Sequence, residues 1–347
     1  MKKITLILTA VLFGTVSINA QEQEYAPLVL SGSVDTYYKY DFAKASDRIP
    51  TSFAGDHNSF SLGMVNLIFS KEFNKVSFVA DVSFGPRSAN SLPVEYANIQ
   101  NMYASYALCD AASVSLGYMG TFVGYEVISP VDNFNYSTSY LFSYGPFQNA
   151  GAKIDISLGD NIDLMVGAFN DLNQISNTGF VDLGAQLHIA PSQSIDLYIN
   201  YLNSADKATE DDGDLIPSFD ILDLTAGFQL TDKLYVGLNA AKTWLNDNDG
   251  GNYFKLESKG KESGYYGVAL YPQYAINDVL SLGLRYEYFE EQNDNATISS
   301  FTGSANISLG ELTLIPEYRF DYNGDQNLDS KFNANAAQAS LAAVYSF

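Results

Sequence analysis

The run Leu312-Thr313-Leu314-Ile315-Pro316-Glu317-Tyr318-Arg319-Phe320-Asp321-Tyr322 decides the fold class. Its even-numbered positions are apolar or aromatic, and between them stand Thr313, Ile315, Glu317, Arg319 and Asp321. A period of two belongs to a β-strand with one apolar and one polar face. The same alternation runs through residues 162–169, 181–189 and 280–288, where Leu280, Leu282, Leu284, Tyr286 and Tyr288 alternate with Ser281, Gly283, Arg285 and Glu287. Capped helical periods are scarce. The chain reads as all-β.

Alternation alone also fits a soluble sandwich, but three features favour a closed transmembrane antiparallel barrel. The polar phase carries charges and glycines, which a water-filled interior accepts. Connections alternate in length: short turns at 73–75, 159–161, 191–193, 231–233 and 277–278, and long polar loops at 43–57, 126–145, 206–217, 247–261 and 324–333. Aromatic residues gather near strand ends, as in Tyr37-Tyr38-Lys39-Tyr40, where the membrane interface suits amphipathic rings. Strand starts fall near Leu28, Asn58, Val76, Tyr96, Ser113, Pro146, Ile162, Gly179, Ser194, Ser218, Leu234, Glu262, Val279, Thr297, Glu311 and Ala334. That is about 16 strands, with 14–18 left open, since a tilted span takes only roughly 9–11 residues. The last strand ends on Phe347, an aromatic terminus of the kind that addresses outer-membrane barrels to their assembly machinery.

The N-terminus reads as a secretory signal. Met1-Lys2-Lys3 precedes a mainly apolar region of thirteen residues, 4–16, and Ser17-Ile18-Asn19-Ala20 offers a small residue at the cleavage point. The expected organisation is a signal peptide over 1–20, a short periplasmic segment over 21–27 and a barrel over 28–347. Export by the Sec route to a Gram-negative outer membrane follows, with membrane lipids around the barrel.

Composition agrees. The 347 residues carry 18 Lys+Arg against 40 Asp+Glu, a net −22 that becomes −24 once two lysines leave with the signal. Such acidity excludes a nucleic-acid binder. One cysteine, Cys109, excludes an intramolecular disulfide, and two histidines, His57 and His188, leave little for a metal site. No cofactor and no resident metal is expected.

Ser31-Gly32-Ser33-Val34-Asp35-Thr36-Tyr37-Tyr38-Lys39-Tyr40-Asp41-Phe42 resembles the first strand of the OmpL-like outer-membrane β-barrel porins common in Bacteroidota. The run from Gly117 through Tyr118-Met119-Gly120-Thr121-Phe122-Val123-Gly124-Tyr125-Glu126 fits the same family. So does Asn135-Tyr136-Ser137-Thr138-Ser139-Tyr140-Leu141-Phe142-Ser143-Tyr144-Gly145-Pro146-Phe147 with Gly151-Ala152-Lys153. The resemblance is sharpest over residues 31–170 and is only pattern-level beyond. It implies an outer-membrane porin and brings no catalytic residues.

Taking the polar phase as inward places Asp35, Asp81, Asp155, Asp163, Asp182, Asp196, Asp223, Glu287, Glu311, Glu317 and Asp321 in the lumen, with Lys39, Lys153, Arg285 and Arg319. Eleven acids against four bases would bias a pore weakly toward cations. Placement of the acids at the rims is the competing reading. Glu317 with Arg319, and Arg285 with Glu287, share a face at i, i+2 and would pair with one another as lumen filler. The loop 126–145 carries Phe134, Tyr136, Tyr140, Phe142 and Tyr144, more rings than a solvated loop needs. It would pack either into the lumen as a constriction or onto the rim. The acidic runs 210–214, 247–251 and 321–329 are oxygen-rich but lack an EF-hand closure, and read as turns.

The expected function is passive diffusion of small hydrophilic solutes or ions, weakly cation-preferring. The alternatives are a structural or adhesive barrel with a plugged lumen and, further off, a barrel hydrolase. Only Asp56-His57 hints at the last, and no nucleophile elbow accompanies it. Whether the barrel forms a homo-oligomer is open.

Overall fold

A computed structural model describes residues 26–91, 98–170, 173–176, 181–204, 218–245, 252–253, 256–257, 263–292, 296–324 and 335–347. The expected signal peptide and the acidic runs 210–214, 247–251 and 325–329 lie outside the described residues.

Sixteen antiparallel strands close into one barrel. They are β1 Val29–Asp41, β2 Ser59–Phe73, β3 Val76–Phe84, β4 Ile99–Cys109, β5 Ala112–Gly120, β6 Gln148–Gly159, β7 Ile162–Phe169, β8 Asp182–Ser192, β9 Ile195–Ser204, β10 Phe219–Gln229, β11 Leu234–Leu245, β14 Tyr265–Ala275, β15 Leu280–Glu291, β16 Ala296–Leu309, β17 Leu312–Asn323 and β18 Ala336–Ser346. A separate two-residue ladder joins β12 Asn252–Tyr253 to β13 Leu256–Glu257. Two short helices lie in the connections, α1 Pro86–Ser91 and α2 Tyr140–Ser143.

Each barrel strand pairs with its sequence neighbours around the ring, and β1 closes on β18 with Ser33 opposite Ser346 and Asp41 opposite Gln338. The closure runs to the last residue: the N–H groups of Gly32 and Phe347 donate to each other's carbonyls, both at 3.0 Å. No edge is left for another chain to extend.

The alternation read from the sequence is realised in burial. On β15, Leu282, Leu284 and Tyr286 face outward and exposed, while Arg285, Glu287, Phe289 and Glu291 are buried inside. On β17, Tyr318 and Tyr322 face out and Glu317, Arg319, Asp321 and Asn323 face in. The apolar outer surface is what a lipid-facing wall requires, because the backbone polar groups are already paired within the sheet. At one end the strands turn tightly. Asn74 (φ 54) and Gly310 (φ 71) supply the left-handed backbone two of these turns need. At the other end most connections are longer, and the longest described one, residues 121–147, does not stay outside.

Candidate functional site

The connection between β5 and β6 folds into the barrel and crosses it. From residue 133 to β6 every side chain is buried except that of Phe134. Its anchors stand on β15, β16, β17 and β1. Strand β15 is eight strands from β5 in either direction around the ring, so the segment reaches the opposite wall. Of the two packings open from the sequence, inward is the one adopted.

What holds it there is a set of wall side chains that satisfy the segment's own polar groups. Glu317 accepts the backbone N–H of Tyr136 (2.8 Å) and of Ser137 (3.1 Å). Glu287 accepts those of Tyr140 (2.9 Å) and Leu141 (2.8 Å), at the start of α2. Arg285 donates to the Ser137 carbonyl, and Arg319 to that of Thr138 at 2.7 Å. The Tyr136 hydroxyl donates to Asp35 at 2.5 Å, and the Tyr140 hydroxyl to Asp321 at 2.7 Å. A buried, non-regular backbone cannot pair with itself as helix or sheet does, so each N–H and carbonyl needs such a partner. Charged partners make the strongest of these bonds.

The ion pairs differ from the expected ones. Arg285 pairs with Glu126 of the crossing segment at 2.7 Å rather than with Glu287, two residues along its own strand. Arg319 pairs with Asp321 at 2.8 Å rather than with Glu317. The reason is that both glutamates are engaged by backbone amides of the segment. Sequence reasoning set Glu126 only as a loop boundary; an acid directly after the aromatic-bearing run 118–125 was the available signal.

The remaining expected lumen residues fall into separate groups. Asp35 also accepts the Met64 N–H at 2.8 Å. Lys39 is buried against Asp41 at 3.3 Å, and Asp41 also faces Arg48 and His57. His57 Nδ1 accepts the Asp41 backbone N–H at 3.0 Å, which ties the first loop to its strand. Asp81 accepts from Asn66 (3.0 Å) and Asn101 (3.3 Å). Asp223 accepts from Asn200 at 2.7 Å, from Asn239, and from the backbone N–H of Gly124 at 3.0 Å. Asp182 is buried and faces inward. Lys153 and Asp155 pair at 3.1 Å and stay partly exposed. Asp163 and Asp196 flank His188 at 3.0 and 3.3 Å near the short-turn end. Glu311 sits at the turn, where the Tyr345 hydroxyl donates to it.

The five predicted rings of the segment pack inward. Tyr136 lies 5.5 Å from Tyr37, Tyr140 5.6 Å and Tyr144 4.9 Å from Phe289, and Phe142 5.7 Å from Phe53. Phe134 covers Gly283, where a Cβ would collide with its ring. Burial raises the hydroxyls of Tyr136, Tyr140 and Tyr144 well above the ordinary phenol range, with Asp35, Asp321 and Glu291 respectively adding to it. All three therefore stay protonated. Tyr125, which sequence reasoning did not single out, stacks on Tyr271 at 4.3 Å.

On the far side of the segment the upper lumen is apolar. Leu202, Phe219, Ile221, Leu245, Tyr265 and Phe289 are fully buried there with Leu141 and Tyr144. Cavities lie beside the segment toward the short-turn end. One of about 550 Å³ lies against β2–β7, and one of about 330 Å³ is lined by Tyr125, Asp132, Tyr235, Gln273 and Asn306.

Solved structures share this architecture. The outer membrane channel DcaP of Acinetobacter baumannii superposes with a TM-score of 0.65 at 16% identity, over 93% of this chain and 98% of that one. OmpF of Salmonella typhi gives 0.65 at 15%, over 93% and 98%. An anion-selective porin from Comamonas acidovorans gives 0.64 at 11%, over 93% and 100%. At such identities the likeness is one of fold. No curated protein matches the chain significantly. Residues 27–347 match the family described as putative beta-barrel porin-2, OmpL-like, and the chain belongs to that family of outer-membrane barrels.

Proposed function

We propose that the protein is a diffusion channel of the outer membrane for small hydrophilic solutes, with a weak preference for cations. The observation that carries this reading is the 121–147 segment, clamped across the lumen by Glu287, Glu317, Arg285 and Arg319. A segment fixed at mid-lumen narrows a water path without closing the barrel wall. The cation preference has a narrower source than the eleven acids expected. Asp35, Asp223, Glu287, Glu317 and Asp321 are bound to the segment or its neighbours, so the field at the path comes from exposed acids such as Asp163, Asp196 and Glu72.

A second reading, a barrel with a plugged lumen, is favoured by one observation, the apolar packing of Phe219, Ile221, Leu245 and Phe289 against the segment. Single-channel recording of refolded protein in planar bilayers, with liposome swelling in sugars, separates the two. Discrete conductance steps and swelling support the channel. Silent bilayers with a heat-modifiable, folded barrel support the plug. In the same reading Phe347, exposed on the outer wall at the β1–β18 closure, presents the terminal aromatic to the assembly machinery before the barrel closes.

A further inference from the structure

The cavity against β2–β7 is a built surface rather than leftover space. Cross-strand register sets its floor in rows. Tyr103, Gly117, Gly151 and Phe169 stand opposite one another across β4 to β7, and Ser105, Ser115, Lys153 and Gly167 form the next row. The glycines let rings lie down on the wall. A Cβ at Gly167 would stand 2.6 Å from Phe169 Cε2, and one at Gly184 would stand 2.6 Å from Phe122 Cζ and 2.9 Å from Phe169 Cε2. Phe122 and Phe169 then lie 5.8 Å apart at 30°, and both line the cavity with Tyr103. Flat rings against a sheet present π-faces to the space in front of them.

Above this platform Asn149 lines the cavity. It is 2% exposed, yet neither its Oδ1 nor its Nδ2 has a hydrogen-bond partner. An amide buried with both ends unmet carries a real cost, and it offers one acceptor and two donors side by side. Below it the Ser105 and Ser115 hydroxyls, 2.7 Å apart, add rotatable donors and acceptors. Lys153 and Asp155 pair at 3.1 Å, and Glu72 and Lys75 line the cavity nearer the turn, so its charges are balanced two against two.

We infer that this cavity is a binding subsite for neutral polyhydroxylated solutes, of the size of a short saccharide. A sugar ring has an apolar C–H face for an aromatic platform and vicinal hydroxyls that a side-chain amide meets pairwise. A hydrated inorganic cation has no apolar face to lay on the rings and no array of hydroxyls for the amide. A volume of about 550 Å³ is in the range of small-ligand sites. The inference rests on the channel reading and names the solute class that its path retains.

The test uses refolded full-length barrel in planar bilayers in KCl. Maltotriose, cellotriose and galactotriose are added singly, with a size-matched polyethylene glycol and triglycine as controls. At least one trisaccharide is expected to block the current in a saturable way, at lower concentration than either control. Asn149→Leu and Tyr103→Ala should each raise the half-blocking concentration by about tenfold or more, with block scored against each variant's own open current. Equal block by trisaccharide and polyethylene glycol, stronger block by triglycine, or block unchanged in both variants overturns the inference while leaving the channel intact. Absence of any KCl conductance instead overturns the channel reading, and the inference falls with it. Calorimetric titration of the detergent-solubilised barrel with the same trisaccharides reads the subsite independently of current.

Discussion

Arg285 on β15 and Glu126 on the crossing segment meet at 2.7 Å with both side chains shut away from solvent, although 159 residues separate them in the chain. Arg285 also donates to the Ser137 carbonyl and hydroxyl and to Thr302. Arg285 therefore ties two separate points of the segment, Glu126 and Ser137, to one wall strand. Removing one partner strands the other charge in a site built for two, whereas removing both does not.

Glu126→Gln should destabilise the folded barrel by roughly 3–5 kcal/mol, and Glu126→Gln with Arg285→Met should recover much of that loss. Urea titration followed by the heat-modifiable gel shift measures both. Equal stability of the single variant and the wild type would show that the pair carries no structural load.

Glu287 accepts the amides of both Tyr140 and Leu141, at 2.9 and 2.8 Å. Glu287→Ala should cost about 1.5–3 kcal/mol for each charged hydrogen bond lost. It should also speed hydrogen exchange in peptides covering residues 136–144, with strand peptides unchanged. Exchange that rises equally everywhere would indicate a general loss of barrel stability instead.

Deleting residues 133–143 removes most of the segment's buried rings but none of the wall strands. Single-channel conductance should rise by about twofold or more, because the widest part of a barrel of this size is open when nothing crosses it. Unchanged conductance from a correctly folded variant would mean that the segment does not narrow the path.

Asp163 and Asp196 are about half exposed beside His188 near the short-turn end. Asp163→Asn with Asp196→Asn should move the reversal potential in a KCl gradient toward zero from the cation side, and raising the salt should shrink the difference. Glu317→Gln, whose carboxylate is taken up by the segment, should leave selectivity nearly unaltered. The opposite ranking would place the selective field at the segment rather than at the mouth.

Much of the architecture was legible in the chain itself. A strand has period two, so Glu317, Arg319 and Asp321 could be assigned to one face and Tyr318 and Tyr322 to the other without coordinates. Turn residues bounded each strand: β3, β7 and β11 begin at Val76, Ile162 and Leu234, where they were expected. The ring content of residues 126–145 marked that loop as one that must bury itself somewhere.

The partners were not legible, because they depend on ring closure rather than on local pattern. Sequence neighbours suggested Arg285 with Glu287 and Glu317 with Arg319. Closing sixteen strands sets β15 diametrically across from β5, and a segment laid along that diameter brings its own unpaired amides and Glu126 to the wall. Buried backbone N–H groups then compete with arginine for the glutamates, and two of them win at Glu287 and two at Glu317. Local alternation thus determined which side chains face the lumen. Which of them hold the segment, and which remain along the path as Asn149 and Tyr103 do, was decided only by the closed circumference.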